Sequence, residues 1–109
     1  MNEESEYLFE LMSKVSGETI EAIKSKERRR PLPACRYLIG MELVRRGYRA
    51  TRAARCIGID HATFLHGRKM MEDLRINPQR AFKEEQDIDM NFRQALIKYR
   101  RAVTAHKRQ

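Results

Sequence analysis

The side chains with the most chemistry to offer stand together in one stretch, Ile59 to Leu74, IDHATFLHGRKMMEDL. Asp60, His61, Thr63 and His66 bring a carboxylate, two imidazoles and a hydroxyl into about two turns of chain. As metal ligands the histidines are poorly spaced, because a five-residue separation on a helix points them apart and no third ligand is near. As a catalytic set they lack a nucleophile with an adjacent base. Nowhere does the chain show a carboxylate dyad or a phosphate loop of the form G-x-x-x-x-G-K-[ST]. What remains is hydrogen bonding to a base edge or a phosphate. Asp60 is a good helix N-cap, and a helix beginning there offers free backbone N–H groups and a partial positive charge, which suit a phosphate. The expectation is a protein that is not an enzyme and uses no metal or cofactor.

Positioning these groups takes two helices. Phe64, Leu65, Met71 and Leu74 recur near a 3.6-residue period, which predicts a helix from Asp60 to about Leu74 with that face buried. His61, Ala62, Thr63, His66 and Lys69 fall toward the other side. Gly67 is its weak position, costing roughly 1 kcal/mol against Ala. Upstream, a helix over about Thr51 to Ile57 is closed by Gly58. Ala50, Ala53, Ala54 and Ile57 give it a small inner face that permits close approach. Residues of about 50–74 therefore read as a helix-turn-helix. In that motif the first helix crosses the phosphate backbone and the second enters the major groove. Arg49, Arg52 and Arg55, every third residue on the outer side, suit bidentate phosphate contacts. Asp60 can cap and also accept from cytosine N4, His61 and His66 can reach base or phosphate, Thr63 offers a hydroxyl, and Ala62 can touch a thymine methyl.

The flanking chain supplies a scaffold and a basic loop. A helix over Ser5 to Val15 carries the stripe Tyr7, Leu8, Leu11, Met12 and Val15 and ends at Ser16-Gly17. A short helix, about Glu18 to Lys24, turns Ile20 and Ile23 inward. The segment KSKERRRPLP follows, kept out of a helix by Pro31 and Pro33 and bearing Lys24, Lys26, Arg28, Arg29 and Arg30. An extended Arg-rich segment of this kind can follow a narrow minor groove. A third helix, from Pro33 to about Arg46 before Gly47, is apolar enough to be the central one. Arg36 near its start is expected to hold a phosphate, while Arg45 and Arg46 complement the helix dipole at its end. After a polar stretch from Arg75 to Glu85, broken at Asn77-Pro78, a last helix is expected from Asp87 to about Val103. Its stripe is Ile88, Phe92, Ala95, Leu96, Tyr99, Ala102 and Val103. It is expected to fold onto the first helix, with a two-chain coiled coil as the alternative and a frayed tail from Thr104.

The fold class is thus all-α, five to six helices around a helix-turn-helix in one domain. Residues 1–86 form its body and residues 87–109 add a C-terminal helix. The formal charge of +8 is uneven: net −5 over residues 1–23, +10 over residues 24–69 and +3 over the remainder. So dense a basic block is the electrostatic footprint of a nucleic-acid binder. RNA fits less well, since within the basic block only Tyr37 and Tyr48, alongside Phe64, are candidates for base stacking. Cys35 and Cys56 read as small buried hydrophobes. The acidic start is unlike a signal peptide, and no apolar run approaches the ~20 residues of a membrane span. The expectation is a cytoplasmic, nucleoid-associated monomer rather than a homodimer, without a membrane partner.

The stretch Asp60-His61-Ala62-Thr63-Phe64-Leu65-His66-Gly67, continued by Arg68-Lys69-Met70-Met71-Glu72-Asp73-Leu74, resembles the C-terminal DNA-binding domain of the bacterial replication initiator DnaA. The signature of that family runs roughly D-H-[ST]-T-V-L-H-A, then x-[RK]-K-[IV]-E-x-L. The resemblance extends from about Val15 to Leu74 and weakly over Asp87 to Leu96. It implies an all-helical domain with a Trp-repressor-like helix-turn-helix, which binds a short double-stranded DNA box through the major groove while a basic loop reaches the minor groove. The chain departs from the pattern at Ala62, where a base-contacting hydroxyl is usual. It departs again at Pro33-Ala34-Cys35, where Pro-Arg-Gln is common, and at Arg49-Ala50, where Leu-Pro opens the motif. With no ATPase loop, the chain reads as a stand-alone relative. Its expected partner is double-stranded DNA, in origin recognition or regulation of DNA replication. The alternative is an interaction module that docks on, or competes within, a replication or mobile-element complex.

Overall fold

Side-chain caps start the helices where the chain provides them. In a computed structural model, which describes residues 2–107 and the side chains of residues 2–99, Asn2 accepts from the Ser5 N–H at 2.8 Å and opens α1, Glu3–Ser16. Thr19 does the same for α2, Ile20–Lys24, accepting from the Ala22 N–H at 3.1 Å. The third helix, α3 (Leu32–Arg45), has no side-chain cap. Pro33 in its first turn removes one of the N–H groups that would need one. Helix α4 is Ala50–Cys56, and α5, capped by Asp60, is His61–Ile76. A single 3-10 turn, Pro78–Arg80, leads to α6, Lys83–Lys107. The described residues contain no strand, so the all-α expectation holds.

Some boundaries differ from the expected ones. Thr19 delays α2 by the two residues that its cap requires. Helix α5 runs on to Ile76, where Asn77 ends it. The polar stretch after it is largely helical: α6 begins at Lys83, a full turn before Asp87, and continues to Lys107 rather than about Val103. That early turn sets Glu85 and Asp89 on the inner stripe with Ile88, Phe92 and Leu96. Asp89 is buried and accepts from Arg75 of α5 twice, at 2.9 and 2.7 Å, and Arg93 lies 3.3 Å away. The end of α5 is therefore clamped to α6 by a charge-assisted fork.

Helix α3 lies at the centre and touches α1, α2, α4, α5 and α6. Leu8, Phe9 and Met12 of α1, Leu38, Ile39 and Leu43 of α3, and Phe92 and Leu96 of α6 make one continuous core. Tyr7 stacks on Tyr99 with ring centroids 4.3 Å apart, closing α1 against α6. The stripe of α6 is thus buried within the chain at Ile88, Phe92 and Leu96, while Tyr99 stays 43% exposed beside Tyr7. Ala102 and Val103 lie beyond the described side chains, and Arg108 and Gln109 outside the described residues. Among the described residues no helix is long and apolar enough to cross a membrane.

The contact that aims α5 is its crossing with α3. Gly40 and Gly67 are both buried there. A Cβ on Gly40 would come within 2.5 Å of the Phe64 ring, and one on Gly67 within 2.3 Å of the Tyr37 ring. Each glycine is the socket for an aromatic ring of the facing helix. The propensity cost of Gly67 is therefore exchanged for close packing. Gly58, with φ +75°, makes the turn between α4 and α5 in a conformation that L side chains resist. Replacing Gly40 with Ala is expected to destabilise the fold by about 1–3 kcal/mol through overpacking against Phe64. Helix propensity alone would give a gain of about 1 kcal/mol. Urea denaturation distinguishes the two, since an upward shift of the midpoint would contradict the socket.

Candidate nucleic-acid interface

Asp60 holds the first turn of α5 in place. Its carboxylate accepts from the Thr63 N–H at 3.4 Å and, through its other oxygen, from the Thr63 hydroxyl. That hydroxyl, with the backbone N–H groups of the first turn behind it, keeps the Asp60 carboxyl below the usual range. The proton of Thr63 is thereby spent on the cap. Toward a ligand Thr63 presents an acceptor, not the donor its position suggested. His61, Ala62, Thr63, His66 and Lys69 are all exposed, with Ala62, His66 and Lys69 on the side of α5 away from Phe64 and Met71 and His61 and Thr63 flanking it at the first turn.

The basic loop runs beside this turn. An open crevice of about 520 Å³ is lined by Lys26 and Arg28 of the loop, Arg36 and Tyr37 of α3, and Gly58, Ile59, Asp60 and Thr63. The five basic residues of the loop are not equivalent. Lys24 pairs with Glu6 at 2.9 Å and lies over the Phe9 ring. Arg29 forks onto Glu18 at 3.0 and 2.8 Å and also reaches Glu27. Those bonds hold the Glu18 carboxyl below its ordinary value and push the Arg29 guanidinium up. Arg30 stacks on Phe82, 3.8 Å from the ring centroid, and lies 3.7 Å from Glu85. Burial pushes the Glu85 carboxyl up in spite of Arg30. Lys26 and Arg28 have no carboxylate within ion-pair distance among the described residues, and neither have Arg49, Arg52, Arg55 and Lys69. Arg49, the N-cap residue of α4, is exposed, as are Arg52 and Arg55 on the side of α4 away from buried Ala53 and Ala54, and Arg52 sits over the Tyr48 ring at 4.6 Å.

Arg36 corrects the expectation of a phosphate contact. It is only 5% exposed, and its guanidinium donates to the Ile23 carbonyl at 2.7 Å and the Ala22 carbonyl at 3.2 Å. Those carbonyls belong to the last turn of α2; Ala22 also accepts from the Ser25 N–H and hydroxyl, so the Ile23 carbonyl is the one for which Arg36 is the main partner. Arg36 thus closes α2 and ties it to α3 at the back of the crevice, and burial lowers its proton affinity. The pair Arg45 and Arg46 is also engaged, both meeting the buried Glu42 carboxylate, with Arg46 reaching on to Glu4 at 2.9 Å. Burial would raise the Glu42 carboxyl, but the two guanidiniums outweigh it and hold it low.

The sequence reading missed three supporting groups. Tyr48 is the platform under Arg52, and Glu18 and Glu85 are the anchors of the loop. Only Glu85 left a signal, since it lies four residues before Asp89 and seven before Phe92 on one helical stripe. For other chemistry the arrangement offers little. The described residues contain no cluster of three or more His, Cys, Asp or Glu side chains able to hold a metal ion. Burial pushes the Cys35 thiol up to about 11, which keeps it protonated and inert at neutral pH. No protein-family profile, characterised protein or solved structure matches the chain. The geometry of the site therefore carries the functional argument. Arg36→Lys, which keeps the charge but loses the fork, is expected to cost about 1.5–3 kcal/mol of stability in chemical denaturation. An unchanged midpoint would return Arg36 to the surface role.

Proposed function

We propose that this chain binds double-stranded DNA. The N-terminal end of α5 enters the major groove, α4 lies across the phosphate backbone, and the Lys26–Arg28 part of the loop reaches the adjacent minor groove. The observation that carries this reading is the shared crevice: two cations without carboxylate partners stand beside a capped helix N-terminus, although they are far apart in sequence. A helix start and free guanidiniums are both phosphate ligands. Arg49, Arg52 and Arg55 add phosphate contacts that set register, and His61, Ala62, His66 and Asp60 are left to read base edges. So few readers against so many phosphate ligands make the specificity ratio modest. The likeness to the initiator's DNA-binding domain extends the proposal to an origin-type box and the regulation of replication initiation, with no catalytic step.

Lys26, Arg28, Arg49, Arg52, Arg55 and Lys69 would neutralise about six phosphates, so affinity should fall roughly 10³-fold between 50 and 200 mM salt. Anisotropy titrations of a labelled duplex measure this slope, and a slope near zero would sink the proposal. On a site recovered by selection from random duplexes, His61→Ala with His66→Ala should erase the preference for that site while leaving non-specific binding in place. A preference that survives the double substitution would remove α5 from the reader's role. Because Glu18 competes for Arg29, Glu18→Gln is expected to tighten duplex binding and steepen the salt slope by about one. Weaker binding by that variant would mean that Arg29 acts only on the loop's shape.

A further inference from the structure

A second concavity, of about 430 Å³, lies between α3, α5 and α6. It opens along α5 beside Arg68, Glu72 and Arg75, about two turns from His61 on the same face, whereas the exposed His66 and Lys69 lie round the helix from it. Its open apolar surface comes from half-buried Met41 and Val44 and exposed Ile97, above Leu38, Phe92 and Leu96, which are themselves buried in the core. Ile97 is 49% exposed and meets solvent there without an apolar partner over it. Around this trough stand Arg45, Arg68, Arg75 and Arg93. Two of the carboxylates that pair with them lie underneath. The side chains of Glu42 and Asp89 are 6% and 7% exposed, against 50% for Arg45 and 51% for Arg93. Buried carboxylates below and guanidiniums above give a rim that is fixed in place and outwardly positive. Glu72 is the single exposed acid on it.

We infer that this groove receives an amphipathic helix of a partner protein whose apolar stripe is flanked by Asp and Glu. A trough between packed helices takes a helix through anchors at i, i+3/i+4 and i+7. The apolar surface wants those anchors, and the arginine rim selects acidic neighbours and rejects basic ones. Nucleic acid does not fit, because a phosphate backbone has nothing to lay on Met41, Val44 and Ile97. A second copy of this chain does not fit either. Its acidic helix, α1, has already spent Leu8, Phe9 and Met12 on its own core. The groove and the duplex-binding face are separate, so both can be filled at once.

The test is anisotropy of the full chain with a labelled peptide carrying Leu at i, i+3, i+4 and i+7 and Glu elsewhere. Controls are a scrambled peptide of the same composition and a version with Lys for Glu. The acidic amphipathic peptide is expected to bind at least about tenfold more tightly than either control. Ile97→Glu and Arg68→Ala, both at exposed or half-exposed positions, are each expected to weaken it several-fold without altering the thermal melt. Saturating duplex should leave that affinity in place. Equal binding of the scrambled peptide, or indifference to Ile97→Glu, would reduce the groove to general attraction by a basic protein and overturn the assignment. Self-association that Ile97→Glu abolishes would give the groove to a second copy and overturn it equally.

Discussion

The crossing of α3 and α5 fixes everything the chain presents to a ligand. Phe64 lies over Gly40 and Tyr37 over Gly67, so each helix drives a ring onto the bare backbone of the other. A ring against a backbone tolerates little sliding, because any displacement opens a void at one end and a clash at the other. The direction of α5 is thereby referred to α3. The basic loop is referred to the same helix by Arg36, whose guanidinium closes the end of α2. Both walls of the crevice at the start of α5 therefore share one reference, and their separation does not depend on the length of chain between them.

Around that axis the basic residues divide by partner. Lys24, Arg29, Arg30, Arg45, Arg46 and Arg75 meet carboxylates and shape the surface, whereas Lys26, Arg28, Arg49, Arg52, Arg55 and Lys69 remain available. Exposed pairs of the first kind contribute little stability, typically up to about 1 kcal/mol each. Their use is positional: Glu18 and Glu85 hold the loop at Arg29 and Arg30, the second and third of its three consecutive arginines. A sequence pI near 9.9 thus overstates the charge free to meet a polyanion.

What the sequence made legible was local. Asp60 as cap, Gly17 and Gly58 as stops, Leu8 and Met12 of α1 and Phe64 and Met71 of α5 depend on neighbours within a few residues, and each lies where the spacing puts it, whereas Phe9 joins the core outside the expected stripe and Leu65 stays at its edge. Arg36 was misread because its burial depends on the end of α2, thirteen residues earlier in the chain. Nothing about an arginine in a first helical turn reveals a carbonyl waiting above it. The start of α6 was placed late for a different reason. Lys83, Glu84 and Glu85 form helix well but carry no apolar residue to display a period, and Phe82 faces outward under Arg30. Gly67 looked like a weakness because propensity is a property of one helix, while its value as a socket belongs to two.

The clamp between Arg75 and Asp89 bears on how small a piece of this protein can stand alone. A fragment cut after the helix-turn-helix would keep every group that we propose for duplex binding. It would lose Ile88, Phe92 and Leu96, and leave the guanidinium of Arg75 hanging where its counter-charge had been. The two-helix motif is accordingly not a portable cassette. To graft its recognition surface onto another scaffold, one would have to carry α6 along or rebuild the patch of interior that α6 supplies.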